Sequence, residues 1–464
     1  MRRRNFLTGT AASTAGFAAG LTAGLFTLPK AARAVHTFDN SKKYRVGLIG
    51  TGWYGKVDLF RLLAVAREEV DVVGLCDVDK KMLSQAAKLT AERQQSGRAP
   101  ALYTDYRKLL EDQDLDIALV GTPDHWHALP MIEACKAGCD VYVQKPVGVD
   151  FIEGEAMVAA ARKYDRIVQV GTQRRSTPHL LEARDKYVTG GRLGKIGRVE
   201  IHSYFGGRHG LSGKITQPPE SLDYEMWTGP APKRPYYEGL TPVKWRAFQE
   251  YGNGAIGDLC VHFFDLARYF LDLGWPEQIS CSGGEFVDTE NISNIPDTQD
   301  AIFKYPGMDV VWTNRAWGNP VEKGYPWAMS IFGSQGTLKM NLKQYEFVPS
   351  QGSGKKPEIG KFLAEEASDL EKQEDRYDLA TLGATRRHLK NFFDAVKSRE
   401  KPNADILQGH ISSSACVLAN NAMELGRSLT LDTKTGRPLG DEDATELLSR
   451  DYRKPWIHPT AENV

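Results

Sequence analysis

Cysteine is scarce and badly spaced for chemistry: six residues in 464, Cys76, Cys135, Cys139, Cys260, Cys281 and Cys416, with no CxxC pair. That excludes a zinc ribbon and a dense disulfide framework, and the six read as mostly buried free thiols. An excess of either charge is also missing, with 59 basic residues against 59 acidic ones. Such a chain has no electrostatic reason to seek nucleic acid or anionic lipid. Beyond residue 34 no apolar run is long enough to cross a bilayer, and no internal repeat is visible. With 25% charged and 10% aromatic residues the composition is that of an ordinary globular protein, and the length suits two or three domains.

What is present begins with an address. Residues 1–34 carry Arg2, Arg3, Arg4, Lys30 and Arg33 and no acid, so their removal leaves a net charge of −5. Arg3, Arg4, Asn5, Phe6 and Leu7 resemble a twin-arginine signal, followed by an Ala, Gly, Thr and Leu stretch and the small-residue site Ala32, Arg33, Ala34. Cleavage before Val35 and a periplasmic or otherwise exported destination are expected. An uncleaved anchor is the alternative, disfavoured by the polar and small residues.

The stretch around which the rest is organised is Tyr44 to Gly55. A short apolar run leads into Gly50, Thr51, Gly52, Trp53, Tyr54 and Gly55, the GxGxxG spacing, before a helix-compatible segment. The first glycine permits a tight turn, the second a close backbone approach to a pyrophosphate, and the third close helix–strand packing. Phosphate charge suits the helix N-terminus. The next strand, Val70 to Cys76, ends in Asp77, placed to accept hydrogen bonds from a ribose and to repel a 2′-phosphate, which favours NAD over NADP.

Apolar runs and helical segments then alternate: helix Lys80 to Gln95, helix Asp105 to Glu111, strand Ile117 to Gly121, helix Ala128 to Ala137, strand Asp140 to Val143, helix Phe151 to Lys163 and strand Ile167 to Val170. This alternation predicts a doubly wound parallel sheet over residues 44–172, after a lead-in over 35–43. Loops at the strand ends, Thr122 and Pro123 to His127, Gln144, Lys145 and Pro146, and Gln173, Arg174 and Arg175, fall where such a sheet binds ligands. From 173 to 450 strand-like runs dominate, predicting an α+β domain with a large, mostly antiparallel sheet. A tail over 451–464 looks extended. The wide second sheet has a face to bury, so a homo-oligomer is expected.

Two stretches carry groups for proton and hydride chemistry. Lys145 stands at a strand end before a proline able to take the cis form, and a lysine there can donate to a substrate hydroxyl; a surface lysine at a turn is the competing reading. On a helix, Asp258, His262 and Asp265 fall at i, i+4 and i+7, one polar stripe among apolar neighbours. His262 suits a general base with Asp258 orienting it, while a structural histidine and a metal site compete for the same residues. Trp227, Tyr236, Tyr237, Trp245 and Arg246 suit an aromatic wall for a sugar ring, or core packing.

Taken together the glycine loop, Asp77, the Thr122 to His127 loop, Lys145 with Pro146, the Gly257 to Asp265 segment, Trp227 with Gly229 to Pro232, Gly333 to Leu338 and Tyr452 to Trp456 resemble the glucose-fructose oxidoreductase, inositol dehydrogenase and MocA (Gfo/Idh/MocA) family. The resemblance implies a Rossmann domain followed by an α+β domain, and a sugar, sugar derivative or cyclitol as substrate of a tightly held dinucleotide. It makes Lys145, Asp258 and His262 the catalytic trio. It also assigns Gly50, Thr51, Gly52, Trp53, Tyr54, Asp77, Thr122, Pro123, His127 and Lys145 to the cofactor, and no metal. Gln173, Arg174, Trp245 and His262 are the substrate-side candidates. The family tripeptide is Glu, Lys, Pro, and Gln144 departs from it. Two rival functions remain: a glycosidase that oxidises a sugar transiently and restores it, which retention of Lys145 argues against, and a non-catalytic sugar or cofactor sensor.

Overall fold

Strand β1 (Tyr44–Ile49) forms where the chain is apolar to both sides, and it becomes a central strand because such a run is stable only when covered on both faces. The computed structural model describes residues 43–204, 211, 213–362, 365, 369–372 and 381–464. The expected signal segment lies outside the described residues, and among them no helix is long and apolar enough to cross a membrane.

Around β1 are β2 (Val70–Cys76), β3 (Ala101–Tyr103), β4 (Ile117–Val120), β5 (Asp140–Val143) and β6 (Val168–Val170), in the order β3-β2-β1-β4-β5-β6 and all parallel. The crossovers are α1 (Trp53–Ala66), α2 (Lys80–Arg93), α3 (Tyr106–Asp112), α4 (Ala128–Lys136) and α5 (Phe151–Lys163). Asp79, Asp105 and Asp150 cap α2, α3 and α5 by accepting first-turn N–H groups, which places each helix start where the sequence puts a short acid. Because strand order reverses between β1 and β4, the loops after these strands diverge and leave a crevice at their carboxyl ends.

The later part of the chain builds a second sheet from β7 (Ile196–Ser203), β8 (Gln278–Gly284), β9 (Thr298–Tyr305), β10 (Met308–Arg315), β11 (Trp327–Gly333), β12 (Gly336–Met340), β13 (Gln344–Pro349), β14 (Glu358–Lys361) and β15 (Leu429–Thr430). Its order is β14-β13-β12-β11-β7-β10-β9-β8-β15, antiparallel except where β10 runs beside β7. The α+β expectation therefore holds. The same part of the chain supplies helices α6 (Pro178–Ala183), α7 (Tyr224–Thr228), α8 (Val261–Leu271), α9 (Leu382–Ser398) and α10 (Ile406–Glu424).

One face of this sheet is buried. Phe263 and Phe264 of α8 pack against Trp327 and Phe303 with ring centroids 5.1 and 4.3 Å apart, so the helix that carries His262 is fixed on the sheet. Helix α9 goes elsewhere: Leu389, Phe392, Phe393 and Val396 join Val46, Leu48 and Leu59 in the core beside the first sheet. The tail also turns back on the first sheet's elements. Tyr452 donates to Glu153 (2.6 Å), His458 Nε2 meets Asp150 (2.7 Å), and the Trp456 ring stands edge-on to Trp126 at 4.8 Å. The six cysteines are free thiols, all but Cys281 buried.

Candidate active site

At the end of β1 each glycine does what its place in the spacing requires. Gly50 has φ +88°, and a Cβ there would lie 2.7 Å from the backbone of Gly121 and Thr122. A Cβ on Gly55 would stand 1.9 Å from the Gly50 carbonyl oxygen, so α1 and β1 touch only because it is absent. A Cβ on Gly52 would meet nothing within 4 Å. That position opens into the crevice, and among the described residues no side chain caps α1, whose first turn is on the crevice wall. Helix-dipole charge and backbone donors are thus presented to a phosphate, and the cradle fits a dinucleotide.

Asp77 is drawn into the turn. Its Oδ2 accepts from the Thr51 N–H (2.6 Å) and hydroxyl (2.9 Å), its Oδ1 from the Asp79 N–H (2.9 Å), and burial pushes its pKa upward. The oxygens keep acceptor capacity toward the crevice for ribose hydroxyls, and Asp79 beside it adds a second reason to reject a 2′-phosphate.

One continuous crevice carries on its wall Gly50, Gly52, Trp53, Tyr54, Asp77, Thr122, Pro123, His127, Lys145, Arg174, Trp245, Asp258 and His262. A lysine at the end of β5 and an imidazole on α8 face the same space as the glycine turn. Lys145 precedes a cis peptide to Pro146. Its Nζ donates to Asp258 Oδ1 at 2.7 Å and to the Asp258 carbonyl at 2.8 Å, which among the described residues uses two of its three N–H groups. Burial lowers its pKa, and the Asp258 charge pulls it back up.

Asp258 sits on a π-helical segment, Ile256–Cys260, that leads into α8. The regular helix expected across Asp258, His262 and Asp265 is therefore corrected. Wide turns of this kind gather at functional sites. The stripe divides: Asp258 and His262 face the crevice, whereas Asp265 is fully buried and held by a fork from Arg175 at 2.7 and 2.8 Å, with the Ser412 hydroxyl at 2.7 Å. The His262 ring stands 5.6 Å from Trp327, and the Arg174 guanidinium 5.5 Å from the same ring.

Several candidates stand back from the wall. Gln173 is buried behind it and donates to the Tyr54 hydroxyl at 2.9 Å, so it positions a wall residue. Thr51 is likewise buried, its donors spent on Asp77. Tyr236 and Tyr237 belong to an aromatic core with Tyr224, Phe248 and Tyr251, so core packing is their role. Trp227 lies in that core and also reaches the wall. His127 has Nδ1 2.6 Å from the Pro146 carbonyl and Nε2 3.0 Å from the Thr122 carbonyl, and burial pushes its pKa down to about 4. It ties the two loops together. Gln144 donates to the buried Asp58 at 2.7 Å, which accounts for an amide at a position where a second carboxylate would repel. Trp327 and Thr381 are also on the wall, and nothing in their local sequence signals it.

Comparison with known proteins agrees with this geometry. Residues 44–172 match the oxidoreductase family, NAD-binding Rossmann fold (GFO_IDH_MocA), and residues 192–283 with 355–458 match that family's C-terminal alpha/beta domain. A myo-inositol 2-dehydrogenase of Thermotoga maritima is 24% identical over 398 residues, which is 84% of this chain and 100% of that protein. A glycosyl hydrolase family 109 protein of Shewanella baltica is 30% identical over 177 residues, 35% of this chain and 37% of that one. A levoglucosan dehydrogenase solved in complex with NADH and levoglucosan shares the fold, with TM-score 0.63 and 16% identity over 84% of this chain and 99% of that one. With both domains matched and the NAD-binding turn in place, the chain belongs to the Gfo/Idh/MocA family of oxidoreductases.

Proposed function

We propose that this protein is an exported NAD-dependent oxidoreductase that moves a hydride between a carbinol carbon of a sugar, sugar derivative or cyclitol and nicotinamide. The observation that carries the reading is the meeting of Lys145 and His262 on one crevice wall with the glycine turn, Asp258 standing between two elements remote in sequence. When bound, the dinucleotide supplies the hydride acceptor. His262 takes the proton of the reacting hydroxyl. Lys145 gives its remaining N–H to the hydroxyl oxygen and stabilises developing negative charge there. Asp258 holds the ammonium group in place through two contacts, so the lysine loses little freedom when substrate arrives. Trp245 and Trp327 line the crevice where a sugar ring would lie.

Support for the substrate class comes from the inositol dehydrogenase whose whole length this chain spans. Export through the twin-arginine route rests on Arg3 and Arg4 and suits a cofactor inserted before transport; fractionation of cells carrying an Arg3→Lys, Arg4→Lys double variant tests it. Pairing of copies through the open face of the second sheet is part of the same proposal, and a monomer in solution scattering would remove it.

The decisive experiment is to release and identify the dinucleotide of the purified protein, then follow nicotinamide absorbance against sugars, cyclitols and glycosides. Stoichiometric reduction by a free sugar or cyclitol is expected. The local likeness to a family 109 glycosyl hydrolase favours a second reading, transient oxidation followed by elimination. Aglycone release with no net NADH would establish that reading instead.

A further inference from the structure

The part of the crevice beyond the glycine turn gathers cations around one carboxylate. Lys145 Nζ and Arg246 Nε both face Asp258 Oδ1, at 2.7 and 3.6 Å, so one carboxylate oxygen stands between two cations. Arg174 adds a third cation beside Trp327. Asp124 is a second carboxylate on this wall, close to Gly252 and the Trp245 ring. Asp77 and Asp79 are at the other end, bonded into the glycine turn. With two cations sharing one carboxylate oxygen, this end of the crevice suits a ligand that brings a negative group of its own.

Arg246 is the group prepared to receive it. Its guanidinium lies 4.0 Å from the centroid of the Trp245 ring, which fixes its plane, and its other contacts are long, 3.4 Å to the Val243 carbonyl and 3.6 Å to Asp258. A planar fork held on an aromatic face and opening into the crevice matches a carboxylate. Because Arg246 and Lys145 share one oxygen of Asp258, a carboxylate on Arg246 belongs to the same small molecule as the reacting hydroxyl, a few bonds from it.

Resting on the oxidoreductase reading of this crevice, we propose that the substrate is an acid sugar, a hexuronate or a carboxylated relative, whose carboxylate is gripped by Arg246 while its hydroxyl meets Lys145 and His262.

The test uses purified dinucleotide-loaded protein and three matched ligands for each sugar: the hexuronate, its methyl ester and the neutral hexose. Steady-state kcat/KM is measured at low and high salt. At least one hexuronate is expected to exceed both its ester and its hexose by about ten- to a hundredfold, the scale of a hydrogen bond to a charged group. The advantage shrinks at high salt, collapses toward unity in Arg246→Gln and is partly restored in Arg246→Lys. Equal use of acid, ester and hexose by the wild-type protein overturns the inference, whatever the variants do, and leaves the oxidoreductase reading standing. So does an Arg246→Gln variant that keeps the preference for acid but binds dinucleotide more weakly. A panel in which nothing, charged or neutral, changes nicotinamide absorbance removes the oxidoreductase reading and the inference with it.

Discussion

Replacing Lys145 by methionine keeps the side-chain length and removes the ammonium group, which isolates what that charge does. In the wild-type protein Nζ makes two contacts to Asp258, at 2.7 and 2.8 Å, and has one N–H for a substrate hydroxyl. Loss of a positioned proton donor and of charge stabilisation is expected to lower kcat by about 10²–10⁴-fold, or ~3–5 kcal/mol of barrier. Folding stability should fall by less. Breaking a buried ion pair usually costs ~3–5 kcal/mol, but Arg246 stays 3.6 Å from the same carboxylate, so ~2 kcal/mol is expected. The double variant Lys145→Met, Asp258→Asn should regain most of that stability and none of the rate. The pH profile supplies a signed check. Burial holds the Lys145 pKa below the ordinary lysine value, so kcat/KM should decline on the alkaline side before pH ~10. Asp258→Asn removes the neighbour that favours the charged form, and the alkaline limb should move to lower pH. Single-turnover absorbance and urea titration read both quantities. A Lys145→Met enzyme within tenfold of wild type, or a double variant whose rate returns, would refute the mechanism.

The glycine turn separates stability from binding. Gly55→Ala puts a Cβ 1.9 Å from the Gly50 oxygen, forces α1 off β1 and should cost ~3 kcal/mol or more, whereas Gly52→Ala meets no protein atom within 4 Å and should leave the urea midpoint nearly unchanged while weakening dinucleotide binding at least about tenfold. Calorimetric titration with NAD checks the second half, and equal affinities for Gly52→Ala and wild type would count against the cradle. Asp77→Ser removes the carboxylate that repels a 2′-phosphate and should shift the ratio of NADP to NAD affinity upward by about tenfold or more; an unchanged ratio would show that Asp77 serves the Thr51 turn alone. Asp58 is fully buried, and desolvation raises its pKa from 3.8 to about 7 despite the Gln144 hydrogen bond. A carboxyl with a raised folded-state pKa contributes stability present in full below its unfolded value and lost as pH rises through the folded one, here between about pH 4 and 7. Asp58→Asn keeps an acceptor for Gln144, so its urea midpoint should be flatter across that window, and a slope like that of wild type would point to another group.

The first sheet was legible because its signals are local. Runs such as Val70 to Cys76 and Asp140 to Val143 are largely buried, and Gly50 and Gly55 answer to contacts within a few residues or on the neighbouring strand. The strand Ala101–Tyr103 gave no such signal, since it is three residues long, half-exposed to exposed, and paired on one side. In the second sheet the two edge strands, β14 and β15, are as silent, because an edge strand needs little apolar alternation. The two arginines after β6 show a different limit. Neighbours in sequence, Arg174 and Arg175 part company, one on the crevice wall and one locked to Asp265 at 2.7 Å, and only the position of α8 decides which is which.

The same argument explains the tail. Its aromatic and charged residues look like an exposed terminus until the Trp456 ring is found against Trp126, a residue of the crevice wall, and Tyr452 against Glu153. Trp456, 330 positions from Trp126, thus braces the loop that carries His127, and no window of sequence could have paired them. A role is legible in this sequence where one residue type implies it, as at Gly50 and Gly55. It is hidden where a role is created by the partner, as for Gln173 behind Tyr54 and Trp327 between His262 and Arg174. Residues of the second kind make up much of the crevice wall, so a change of partner there would alter what the crevice holds while the glycine turn stays as it is.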